Sequence, residues 1–257
     1  MSNKVVLFLV EGQSEINALE RIFDFLCDLI SDGCVVKFVS TDGDITTKET
    51  VTLNNINAKI GSYFWKNSKL CGDSFLELKD ITQIIHLFDM DGAYIPDDHI
   101  ICDKNSLSNE NVKYEINRII ADNIEKFIER NERKRRHMDF LLEQKMISIK
   151  RVKIPYKCYF FSSNLDHFLY DEQNLTKTEK IGKAIDFSKE FANIYDDAEK
   201  VNAFQKRIKS IQGKRYLKLN LDYEASWHFV KDRTSCHSLE RLSNIDVLLN
   251  DLKNILS

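Results

Sequence analysis

A chain of 257 residues with 43% hydrophobic side chains can bury one large core or two modest ones, which excludes a disordered polymer. No stretch of 18 apolar residues is free of charge, which argues against a membrane span, and six cysteines without a CxxC pair or a histidine cluster argue against structural zinc. The net charge of −3 selects no partner, but it is unevenly spread: residues 1–110 carry 9 basic and 18 acidic side chains, residues 111–257 carry 28 and 22. An acidic, metal-collecting centre beside basic surfaces suits an anionic polymer, although ordinary solvated faces are the simpler reading of charge alone.

Lys4 to Val10, KVVLFLV, is a continuous apolar run expected as a strand buried on both faces. An acidic residue ends it and no small-residue cleavage site follows, so it reads as part of the mature fold, with a cytoplasmic location and reduced thiols. Ser14 is the expected cap of a helix whose apolar stripe is Ile16, Leu19, Ile22, Phe23 and Leu26. Gly33 stands just past its end, and Cys34 to Ser40 is a second strand. TDGDITTKET is a loop, residues 51–65 a helix and residues 81–88 a third strand; this alternation implies a parallel sheet with right-handed crossovers. Pro96 to Asn109 reads as an irregular loop and residues 111–146 as one or two charged helices. Lys157 to Phe161 is a fourth strand, after which Ser162 or Ser163 caps a helix. Residues 176–212 and the closing segment with Ile245, Leu248, Leu249 and Leu252 are helical.

The third strand ends in HLFDMDGAY, with Asp89 and Asp91 one residue apart and Gly92 following. Alternation along a strand places both carboxylates on one face, where they repel unless a cation stands between them. Glu11 ends the first strand, and Glu15 lies one helical turn later. In an open parallel sheet such positions lie at the ligand-binding edge. Hard oxygen donors favour Mg²⁺ or Mn²⁺, which can activate water and stabilise a leaving oxygen in phosphodiester cleavage.

VEGQSE after a first strand and FDMD at the end of a later one resemble the Toprim domain of topoisomerases, primases and small RNA-maturation nucleases. Glu15 resembles the second glutamate of the overcoming-lysogenization-defect (OLD) nucleases, where two glutamates and two aspartates bind divalent metal. The likeness covers roughly residues 4–95 and extends to the strand at 157–161. It implies an α/β fold: a Toprim-like Rossmannoid core with a mainly parallel sheet flanked by helices, plus helical additions in the C-terminal half. Residues 1–162 would form this core, with a helical insertion at about 96–150, and residues 163–257 a mainly helical region packed on it. The activity implied is metal-dependent cleavage of DNA or RNA, with Glu11, Glu15, Asp89 and Asp91 as metal ligands and catalytic groups. No GxxxxGK[ST] phosphate loop occurs, so the resemblance is to a stand-alone Toprim protein, a phage-defence effector beside a separate ATPase or sensor. Oligomerisation is compatible with this reading.

Two basic runs are the candidates for contact with nucleic-acid phosphates. One contains Arg133, Lys134, Arg135 and Arg136, the other Lys206, Arg207, Lys214 and Arg215. Asp166 in SSNLDHF matches an acidic position in some Toprim-like proteins only loosely, and a helix-start carboxylate is the simpler account. Turn chemistry explains Asp42 and Asp44 in TDGDI, which are left out of the site. FDMDGAY also resembles haloacid-dehalogenase-like phosphatases, with Asp89 as nucleophile. Against this, the motif begins deep in the chain, Ala93 replaces the customary threonine, and VEGQSE is left without a role. A third alternative is a non-catalytic regulatory or assembly protein derived from a Toprim fold.

Overall fold

The computed structural model describes residues 4–68, 78–107, 111–212 and 214–256. Strand β1 (Val5–Val10) is buried at all six positions. Its alternate residues enter two different cores, Val6, Phe8 and Val10 in one and Val5, Leu7 and Leu9 in the other. Helix α1 (Gln13–Ile30) lays Leu19, Ile22, Phe23 and Leu26 into the first core. Its cap is Gly12 rather than the expected Ser14: Glu15 reaches back to accept the Gly12 N–H at 3.1 Å, while the Ser14 hydroxyl donates to the same carboxylate at 3.0 Å. Strand β2 (Val35–Ser40), helix α2 (Ile56–Ser68) and strand β3 (Ile81–Asp89) follow.

The segment expected as a helical insertion contains strands instead. Strands β4 (Ile100–Ile101), β5 (Val112–Glu115) and β6 (Arg118–Ala121) form a small sheet of order β4-β6-β5. Ile100, Ile119 and Ala121 close a third core with Ile95, Phe127 and Leu239. Burial of three successive residues of β6, Ile119, Ile120 and Ala121, outweighs the helical character of its polar neighbours. Only the next part of the segment is helical, as α3 (Ile124–Glu143) capped by Asn123. Strand β7 (Met146–Ile149) then turns into β8 (Val152–Phe161), which starts earlier than the expected fourth strand. The hairpin turn uses Lys150 and Arg151, both at positive φ. Tight hairpins usually place Asn or Gly there, so the sequence carries no turn signal.

Helices α4 (Leu165–Tyr170), α5 (Lys177–Lys189), α6 (Asp197–Ile211), α7 (Lys214–Leu219), α8 (Tyr223–Val230) and α9 (Ile245–Leu256) complete the chain. Asn164, not Ser162 or Ser163, caps α4 by accepting the His167 N–H at 2.8 Å. The main sheet has order β2-β1-β3-β8-β7, parallel except for β7. Residues of α1, α5, α6 and α9 fill the core on one face, and residues of α2, α3 and α8 the core on the other. The architecture is α/β with a mostly parallel sheet covered on both sides. Among the described residues, no helix is long and apolar enough to cross a membrane.

His86 on β3 is 1% exposed and shares a 2.7 Å hydrogen bond with the Tyr156 hydroxyl. Burial pushes its pKa down to about 3 from an ordinary 6.5, so the folded protein holds the neutral ring. The unfolded chain binds the proton first, and stability therefore falls as pH drops from 6.5 towards 3. The expected loss from this group is about 1.4 kcal/mol per pH unit. Urea midpoints at a series of pH values check it: His86→Gln should lose stability less steeply than wild type across that window.

Candidate metal centre at the sheet edge

β1 lies between β2 and β3, so the crossover through α1 leaves to one side of it and the crossover through α2 returns to the other. The crevice outside the C-terminal ends of β1 and β3 is thus the topological switch point of the sheet. Glu11 follows β1, Asp44 lies in the loop after β2, Asp89 ends β3 and Asp91 lies two residues on. Glu11, Asp44 and Asp91 each offer a carboxylate oxygen, all within 4.8 Å of one another.

Asp89 and Asp91 do not converge on one point as strand alternation implied. The strand stops at Asp89, and Asp91 and Gly92 take positive φ values of 49° and 65°. Gly92 has no room for a side chain, because a Cβ there would stand 2.7 Å from Ile119 Cδ1 and 2.8 Å from Leu239 Cδ2. The turn swings Asp91 towards α3, while the Asp89 carboxylate accepts the Leu165 N–H at the start of α4 at 2.9 Å. Two acidic groups result, and Glu11 belongs to the first.

The first comprises Glu11, Asp44 and Asp91 and is faced by α3. Lys134 is fully buried, with Nζ 2.8 Å from Asp44 Oδ2 and 2.7 Å from Asp91 Oδ2. Arg130, one turn earlier, reaches Asp91 Oδ2 at 2.6 Å. The rest of this helix face laces the two acid-bearing loops together. Arg133 donates to the Thr47 carbonyl at 2.9 Å and Arg135 to the Ala93 carbonyl at 2.7 Å, and His137 Nδ1 lies 2.6 Å from the Thr46 carbonyl. Burial alone would raise the Asp91 and Asp44 pKa values, but Lys134 and Arg130 outweigh it, holding Asp91 below the usual carboxylate range and Asp44 at about 2. Glu11 behaves oppositely. Burial, then Asp44 and Asp89, raise its pKa well above the ordinary value, and its Oε1 is shielded from solvent without a hydrogen-bond partner among the described residues.

The second group comprises Glu15, Asp89 and Asp166. Burial is the largest cause raising the Glu15 and Asp89 pKa values; Asp166 adds to both, and Lys180 opposes both. Asp166 is 2% exposed; its Oδ2 pairs with Lys180 Nζ at 2.8 Å and its Oδ1 has no partner. Glu11, Glu15 and Asp89 line a cleft of about 700 Å³ that Lys177 and Lys180 also line.

Sequence reasoning therefore named Glu11, Glu15, Asp89 and Asp91, passed over Asp44 and Lys180, and set Asp166 aside. Asp44 was visible as an aspartate beyond a parallel strand, the same signal that singled out Glu11. Of the expected phosphate-binding residues, Lys134 and Arg135 are buried, Arg135 donating to the Ala93 carbonyl, while Arg133 is half-buried and donates to the Thr47 carbonyl. Arg136 and Lys206 are exposed, and Arg207 pairs with Glu190 at 3.2 Å. The side chains of Lys214 and Arg215 lie outside the described residues. Comparison with family models, with curated proteins and with solved structures gives no match.

The donor set fits a hard divalent ion. Among the described residues it consists of carboxylate oxygens, without sulfur or imidazole, and Glu11 Oε1 is buried with neither a hydrogen bond nor an ion pair there. Glu11, Asp44 and Asp91 are the residues placed to hold such an ion, with Glu15 and Asp89 adjoining on the cleft side.

Proposed function

We propose that the protein is a Mg²⁺- or Mn²⁺-dependent nuclease with a Toprim-like site, cleaving phosphodiester bonds of DNA or RNA in the cleft at the switch point. The observation that carries this reading is the meeting of Glu11, Asp44 and Asp91, from three separate strand ends, within 4.8 Å. A divalent ion bound there would supply an activated water and a counter-charge for the leaving oxygen. Lys177 and Lys180 in the lining of the same cleft supply positive charge to which an anionic backbone is attracted. Glu15, held by the Gly12 N–H and the Ser14 hydroxyl, is oriented at the cleft wall, and burial favours its protonated form, which suits a group that moves a proton. A separate ATPase or sensor protein acting with the nuclease remains part of this proposal as an implication of the Toprim resemblance.

A dehalogenase-like phosphatase would need an Asp89 carboxylate free to attack. Here that group is 7% exposed, bonded to the Leu165 N–H and raised in pKa by burial and Glu15, all of which weaken a nucleophile. The test is cleavage of plasmid DNA and of total tRNA with Mg²⁺ or Mn²⁺, comparing wild type with Asp44→Asn. The variant is expected to lose activity at least a hundredfold, an order-of-magnitude figure for a direct ligand. Equal cleavage by both proteins would remove the nuclease reading, and formation of an aspartyl-phosphate on Asp89 would replace it with the phosphatase.

A further inference from the structure

We propose that Lys134 is a built-in competitor for the divalent ion: its ammonium and the metal exclude each other at Glu11, Asp44 and Asp91, and metal binding drives the lysine out of its pocket. The inference rests on the reading of that triad as a cation site. Lys134 Nζ already holds Asp44 Oδ2 and Asp91 Oδ2 at 2.8 and 2.7 Å, with none of its side chain exposed. Both oxygens belong to the carboxylates a metal would use, and Asp91 Oδ2 already carries Arg130 as well at 2.6 Å, so a divalent ion entering with Lys134 in place would be a further cation at close range in a poorly screened interior. The ammonium also serves the triad incompletely, since Glu11 Oε1 is left buried and without a donor. A divalent ion has more charge and more coordination positions, and is able to engage all three groups.

The surrounding contacts allow the lysine to leave without undoing α3. Arg130 makes its own bond to Asp91 at 2.6 Å, and Arg133 and Arg135 hold backbone carbonyls on the two loops at 2.9 and 2.7 Å. Lysine is a compact charge on a flexible four-carbon stem, so its head can move while its helix does not. Without metal the triad is thus partly neutralised from within. The metal concentration needed to occupy it is set in part by the cost of evicting Lys134.

Two measurements test this. Calorimetric titration with Mg²⁺ and Mn²⁺ compares wild type with Lys134→Met, which keeps the stem and removes the charge; the variant should bind at least tenfold more tightly. Amine acylation of wild type, read by peptide mass spectrometry, should find Lys134 protected in metal-free protein and modified at saturating Mg²⁺. Should Lys134→Met fail to fold, the acylation result decides alone. Binding to wild type with no gain in the variant, or a lysine that stays protected at saturation, overturns this inference and leaves the metal site standing. Absence of metal binding to both proteins overturns the site itself and the inference with it.

Discussion

Glu11→Gln is expected to abolish nucleic-acid cleavage while leaving the protein as stable as wild type or more so. Most active-site acids cannot be removed so cleanly, because a hydrogen-bonded partner is orphaned in the process. Glu11 differs in that its Oε1 has no partner and its environment, crowded by Asp44 and Asp89, disfavours negative charge. An isosteric amide removes a buried charge that is costly to keep and breaks no bond to Oε1. The loss of activity should be on the order of a thousandfold, roughly 4 kcal/mol of transition-state stabilisation. Thermal unfolding of the same preparation supplies the control: a change beyond about 1 kcal/mol towards instability would mean that Glu11 has a structural task the contacts do not reveal. Full activity in Glu11→Gln would remove this residue from the chemistry.

Asp91→Asn and Lys134→Met should each destabilise the metal-free protein by about 3–5 kcal/mol, and the double variant by much less than the sum. Each single change leaves a buried charge short of its partner. The Asp91 side chain is 15% exposed and that of Lys134 not at all, so water cannot take over. Asparagine tolerates the positive φ of 49° at position 91, so the backbone contributes little to the loss. Urea unfolding of the four proteins in chelator gives the coupling energy. Additive losses would show that Lys134 and Asp91 act independently despite their 2.7 Å contact.

Much of the sheet was legible because parallel strands announce themselves. KVVLFLV and ITQIIHLF are runs too apolar to face water on either side, and β1 and β3 lie where they were expected. The strand-end rule then located Glu11, Asp89 and Asp91. What the sequence concealed falls into two kinds. Strands β5, β6 and β7 are only four residues each, and β7 turns at Lys150 and Arg151, residues that rarely mark a hairpin. The other kind is charge whose meaning depends on direction. ERNERKRRH reads as a solvated basic face, and nothing in its spacing tells that Arg130 and Lys134 look inward at acids from distant loops. Asp44 was set aside for the converse reason: TDGDI is adequate turn chemistry, and that explanation outweighed its place beyond a strand end.

The acids and their counter-charges enter the chain in a fixed order. Glu11, Asp44, Asp89 and Asp91 are all synthesised before α3, and Lys180 on α5 comes later still. A nascent polypeptide that has emerged only as far as Asp91 therefore carries these four acidic side chains with neither Lys134 nor Lys180 to offset them. Repulsion among them opposes closure of that sheet edge until α3 brings Lys134 and Arg130 against it, so the edge that the early strands build is completed only by a later helix.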